Sequence, residues 1–208
     1  MFSGPDKVVT LLRRQAGAPM HLINEVEAYW HGLRQGPTLP ARAQIDPRGL
    51  SRALPNVFIL ERIAPHVVRF RLSGQALAPL LGMDLRGMPL SALLTPEARA
   101  EMEPHIAALF DTPMALRFSL SAEWGIGKPG LSAEMILLPL LGDDGQVSRA
   151  LGCLVTKGRI GHAPRRFRIT GLNARPIATP TANAAHPENA PERIRPDASR
   201  PALYLVKS

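Results

Sequence analysis

Cysteine is nearly absent. Cys153 is the one thiol in 208 residues, which excludes a disulfide framework within the chain and any multi-thiolate metal site. A reducing, cytoplasmic setting is expected. Long apolar runs are absent too. Nothing approaches the ~20 residues that cross a bilayer, so no membrane span is predicted. Near the start, Val8, Val9, Leu11 and Leu12 are interrupted by Thr10 and stopped by Arg13 and Arg14, and no secretory leader is read there. Catalytic signatures are missing as well. Neither Gly-x-Ser-x-Gly nor His-Glu-x-x-His occurs. The stretch Gly125-Ile-Gly127-Lys128-Pro-Gly130 has no hydroxyl residue after its lysine and no helix pattern behind it, so it is not a phosphate loop. The chain is predicted not to be an enzyme.

What is present is globular in character: 45% hydrophobic and 20% charged residues, unlike a disordered or collagen-like chain. The net charge of +8 is uneven. Through Ile160 there are 17 basic and 14 acidic residues; from Gly161 onward there are 8 and 3, together with 7 of the 21 prolines. The excess therefore sits in a Pro-rich basic tail over 159–208, predicted to be mostly disordered. It is not carried on a helix face with interleaved aromatics, so a nucleic-acid partner is the least favoured reading. Within the tail, Arg165-Arg166-Phe167-Arg168 is the one spot that fits RNA or acidic lipid.

Residues 1–19 show no period and read as a flexible arm. Over 20–36, Leu22, Val26, Tyr29, Trp30 and Leu33 recur at helical spacing until Gly36 and Pro37, which predicts an amphipathic helix. Asp46-Pro47 suits the start of a short helical piece. The period then falls to two. Val57–Leu60 and Val67–Leu72 read as a hairpin, with Arg69 and Arg71 on its wet face. Leu77, Leu80 and Leu81 form a short helical face, and Leu90, Leu93 and Leu94 a second small apolar cluster. Thr95-Pro96 starts a longer helix through Met102, Ile106, Leu109 and Phe110, with a kink or restart expected at Pro104. Three more strands follow: Met114–Leu120, Leu131–Leu141 and Val147–Thr156. The last has two competing inward phases, Leu151, Cys153 and Val155 against Ala150, Gly152 and Leu154. This order predicts an α+β fold over 37–158: a five-stranded antiparallel sheet with helices on one face, preceded by the amphipathic helix.

That order resembles a PAS domain, and so do the residues. Arg69-Phe-Arg-Leu-Ser-Gly-Gln-Ala-Leu-Ala-Pro-Leu-Leu-Gly82 resembles the second PAS strand running into the small helices, and Leu85 through Leu94 the segment after it. Tyr29-Trp30, Leu33-Arg34, Pro40, Arg42, Ile45-Asp46-Pro47 and Leu54-Pro55-Asn56-Val57-Phe58 are similar to a group of stand-alone alphaproteobacterial PAS-like proteins of unassigned function, as are Leu138-Pro139-Leu140 and Leu151-Gly152. The resemblance covers roughly residues 22–157. It implies a non-catalytic sensory or protein-interaction module in bacterial signal transduction.

The resemblance also frames the sites. Phe58, Leu60, Val68, Phe70, Leu116, Phe118, Met135 and Leu137 should face the helices and meet Leu77, Leu81, Met102 and Phe110. Either these residues pack solid, which is the favoured reading, or they line a pocket for a small apolar ligand. His105, in the longer helix, is the candidate axial ligand if haem is held. No cofactor is the expectation, and no metal is assigned. Cys153 lacks the Asn-Cys-Arg-Phe context of flavin photochemistry and reads as a small buried residue. Leu22, Val26, Tyr29, Trp30 and Leu33 form the candidate interface for a protein partner or a homodimer. The alternative is that they cap the chain's own sheet.

Overall fold

The structure, a computed structural model, describes residues 21–178. The proposed arm over 1–19 and the tail beyond residue 178 lie outside the described residues. A helix over 21–33 (α1) comes first. Next come β1 (Val57–Ala64) and β2 (Val67–Ser73). The short α2 (Ala78–Leu81), a 3-10 turn (Leu90–Leu93) and α3 (Pro96–Asp111) follow. The chain closes with β3 (Met114–Ala122), β4 (Leu131–Leu141), β5 (Val147–Gly158) and β6 (Phe167–Pro176).

Local chemistry explains most boundaries. The Asp46 side chain accepts from the Arg48 N–H at 2.9 Å and opens a 3-10 turn with Pro47 in its first position. The Thr95 hydroxyl accepts from the Ala98 N–H and starts α3. Of the kink or restart expected at Pro104, the restart does not occur: the helix is continuous from Pro96 to Asp111. Pro104 and Ala100, whose carbonyl loses its usual donor, both lie on the exposed side, where water can take the bond.

The strands form one antiparallel sheet in the order β2-β1-β5-β4-β3-β6. It has six strands, not five. The sixth comes from the stretch read as disordered tail: Phe167 through Pro176 pairs with β3 along its whole length. Averaged over 159–208, the proline and arginine content hides the short alternation of Phe167 and Ile169 against Arg168 and Thr170. Pro164 and Pro176 bound this strand rather than interrupt it, as an edge strand allows.

Both sheet faces are covered. On one, α2, the 3-10 turn and α3 close over Phe58, Leu60, Phe70, Leu116, Phe118, Met135 and Leu137. On the other, α1 lays Ile23, Val26 and Trp30 over Ile59, Ile136, Leu138, Leu151 and Cys153. The ambiguous phase of the last strand is thereby resolved. Leu151, Cys153 and Val155 face α1, while Ala150 and Leu154 face α3. A strand buried on both faces carries no alternation to read. Gly152 is required for contact: a Cβ there would sit 2.1 Å from the Phe58 ring.

Candidate functional site

All twelve residues predicted to surround the interior come together in one buried cluster between sheet and helices. Their side chains pack on each other. Phe58 and Phe70 meet edge to face at 5.2 Å, and the Phe58 ring rests on the bare backbone of Gly152. A cleft of about 420 Å³ opens beside this cluster, between β2, the 3-10 turn and α3. Val68 and Met102 of the predicted set reach it. Leu90, Leu94, Ile106 and Arg99 also line it, and sequence reasoning did not assign them to a site. Arg99 is pinned at the rim, its Nε donating to the Ser91 carbonyl at 2.9 Å. The available signal was its place one turn after the Thr95 cap, above the Leu90–Leu94 cluster.

His105 is half-buried on α3, its ring 6.4 Å from that of Phe118. His21 faces Glu25 at 3.6 Å, and His31 stands edge-on to Trp30. Among the described residues no three His, Cys, Asp or Glu side chains gather as a metal site would need. Cys153 is fully buried under α1. Burial and then the nearby Glu25 charge push its thiol up to about 12, so it stays protonated and non-nucleophilic at neutral pH.

The candidate interface residues are used differently from a dimer face. Val26 and Trp30 have no exposure at all, and Leu22, Tyr29 and Leu33 are half-buried. Trp30 Nε1 donates to the Pro139 carbonyl at 3.0 Å, and the Tyr29 hydroxyl accepts from the Asp46 N–H at 2.8 Å. The stripe is spent on the chain's own sheet, because β4 and β5 present an apolar second face that must be covered.

The outer face of β1 and β2 is electrostatic. Glu61 is held by Arg69 at 2.8 Å, Arg149 at 3.0 Å and Arg71 at 3.5 Å. Burial pushes the Glu61 carboxyl upward. The Arg69 hydrogen bond and the Arg149, Arg71 and Arg69 charges outweigh that and hold it below the ordinary glutamate value. A depressed carboxyl stabilises the fold above its unfolded-state pKa, and that contribution is lost as pH falls through the folded value. Comparing the wild type with Glu61→Gln in chemical denaturation, the stability difference should be largest near neutral pH. It should shrink as pH falls below the carboxylate range; a gap independent of pH would contradict this. Arg117 reaches Asn24 at 3.0 Å and Glu27 at 3.8 Å, and Glu134 accepts from Ser119.

The Arg165–Arg168 run also reads differently in three dimensions. Arg165 and Phe167 are buried; Arg166 and Arg168 are exposed. The Arg165 guanidinium donates to the carbonyls of Glu123 at 2.9 Å, Pro129 at 2.7 Å and Ile160. It is a structural clamp and is withdrawn from any surface patch.

No helix among the described residues is long and apolar enough to cross a membrane. No curated protein matches the chain. Among solved structures it is similar to the dark state of the blue-light photoreceptor Aureochrome1 LOV, with 14% identity over 53% of this chain and 80% of that one and a TM-score of 0.37. It is also similar to an RNA-binding Light-Oxygen-Voltage receptor, with 18% identity over 56% of this chain and 35% of that one and a TM-score of 0.38. Residues 20–155 match the family described as PAS domain. That span begins at α1 and ends in β5, so it takes in the helical insert between two antiparallel strand groups; the chain belongs to the PAS domain family.

Proposed function

We propose that this chain is a non-catalytic sensory and protein-interaction module of bacterial signal transduction, working in the cytoplasm through contact with a protein partner. The family supports a sensory role. The observation that carries the finer reading is the filled interior. Phe58, Phe70, Phe118 and their neighbours occupy the space between sheet and helices, so recognition falls to the surface. The strongest polar surface is the outer face of β1 and β2, where three arginines surround one glutamate and an acidic partner is complementary. A homodimer through α1 would use the helix face left exposed, which carries Asn24, Ala28 and His31.

The test is affinity capture with the full chain and with Arg69→Glu/Arg71→Glu. A partner captured by the wild type and lost from the folded variant supports the reading. Equal capture by both assigns the contact elsewhere. The second reading is a sensor for haem or a small apolar molecule, favoured by the cleft between β2 and α3. Titration with haemin decides it: a Soret shift would establish haem binding and displace the first reading. Its loss in His66→Ala would assign the site to that cleft, which His66 lines, and its loss in His105→Ala would assign it to α3 outside the cleft. No mobility shift with DNA at physiological salt is expected.

A further inference from the structure

The loop joining β3 to β4 is built as a rigid apolar point. Gly125 and Lys128 exchange two backbone hydrogen bonds of 2.9 Å, leaving Ile126 and Gly127 at the tip of a tight turn. Gly127 has φ +69°, a region that favours glycine. Its carbonyl accepts from the His162 N–H at 2.8 Å. The shoulders of the loop, Glu123 and Pro129, are tied together through their carbonyls by buried Arg165. Yet the tip presents Trp124 at 82% exposure and Ile126 at 102%, while every other large apolar side chain among the described residues is at 55% or below. Lys128, Arg159 and His162 share a wall beside the tip that contains no carboxylate. Exposed Arg166 is at the loop's base, where its carbonyl accepts from the Glu123 N–H; Glu123 is the acidic residue of the loop.

We propose that residues 123–130 are a docking wedge for an anionic lipid bilayer. Trp124 and Ile126 enter the boundary between headgroups and acyl chains, and Lys128 and Arg159 meet lipid phosphates. Indole rings favour that boundary, and cations beside it are drawn to anionic headgroups. RNA is disfavoured because Trp124 is the one ring the loop could offer a base, and the fully exposed aliphatic Ile126 beside it has no part in stacking, whereas both side chains suit a bilayer boundary. A protein partner is disfavoured because a two-residue convex tip supplies far less than the ~800 Å² a stable interface takes from each side.

The chain carries its own reporter. Of its two tryptophans, Trp30 is fully buried and Trp124 is exposed. Mixing the full chain with phosphatidylcholine/phosphatidylglycerol vesicles should shift the emission to the blue and sediment the protein, with phosphatidylcholine alone doing neither. Lys128→Glu/Arg159→Glu should weaken binding, as should added salt. Trp124→Ser/Ile126→Ser should weaken sedimentation by about tenfold or more. Trp124, Ile126 and Arg159 are exposed and Lys128 is half-buried, and the buried Trp30 emission reports that both variants stay folded. Absence of a blue shift with anionic vesicles overturns the proposal. So does undiminished sedimentation of Trp124→Ser/Ile126→Ser, which would assign binding to the basic C-terminal residues, and so does an emission change with an RNA oligonucleotide but not with vesicles.

Discussion

Replacing Trp30 by alanine is expected to destabilise the fold by about 3–5 kcal/mol, the range for removing a fully buried aromatic. Single domains are stable by only about 5–15 kcal/mol, so the loss is large enough to shift the denaturation midpoint well clear of error. Three observations set the size. The ring has no solvent exposure, its N–H is bonded to Pro139, and the Arg34 guanidinium lies over it at 5.4 Å. The Pro139 bond is unusual in origin. Pairing of β3 with β4 stops at Leu116–Leu137, so Pro139 lies past the end of that ladder, and its carbonyl is taken by a side chain from α1. Trp30→Phe keeps most of the apolar area and deletes that donor. It should cost about 1–3 kcal/mol for the carbonyl left behind. If Trp30→Ala proves no worse than Trp30→Phe, α1 is not packed as described.

Arg165→Met is the second large effect. Three backbone carbonyls lose a charged donor at once. Arg165 is buried, and a buried acceptor left unsatisfied costs about 1–3 kcal/mol; the Glu123 and Pro129 carbonyls, on exposed residues, fall at the low end of that range. The effect should be partly local, because the carbonyls belong to the two shoulders of the β3–β4 loop and to the segment after β5. Hydrogen exchange should accelerate there before it does in β4 and β5. Arg165→Lys should rescue little, since an ammonium cannot span three acceptors as a planar guanidinium does. A variant with wild-type midpoint and wild-type exchange would show that the carbonyls find water instead.

The sequence made the helical insert legible because its boundaries are local chemistry: the Thr95 cap, Pro96 and Asp46-Pro47 act within a few residues. The inner face was legible for a different reason. Val68, Phe70, Leu116 and Phe118 alternate with Arg69, Arg71, Arg117 and Ser119, and a period of two fixes which side is buried. What was not legible depends on partners distant in sequence. Whether Trp30 faces its own sheet or another molecule is decided by Leu138, Leu151 and Cys153, more than 100 positions away. Phe167–Pro176 becomes a strand only because β3 offers an open edge; nothing in its own composition demands it. Arg165 looks like its neighbour Arg166 in sequence, and burial alone separates a clamp from a solvated charge. The cleft lined by Arg99 and Leu94 exists only once α3 crosses β2.

The sixth strand also changes how the two ends of the domain communicate. Arg175 near its end pairs with Glu27 of α1, and the Arg34 side chain donates to the Ala178 carbonyl at 2.7 Å. Ile177 is tucked into the apolar layer under that same helix. The chain thus passes residue 178 fastened to the first helix, on the face opposite the Phe58–Phe70 layer. Tension applied at the C-terminal side of the domain would be delivered to α1 directly, a mechanical shortcut that bypasses the aromatic interior.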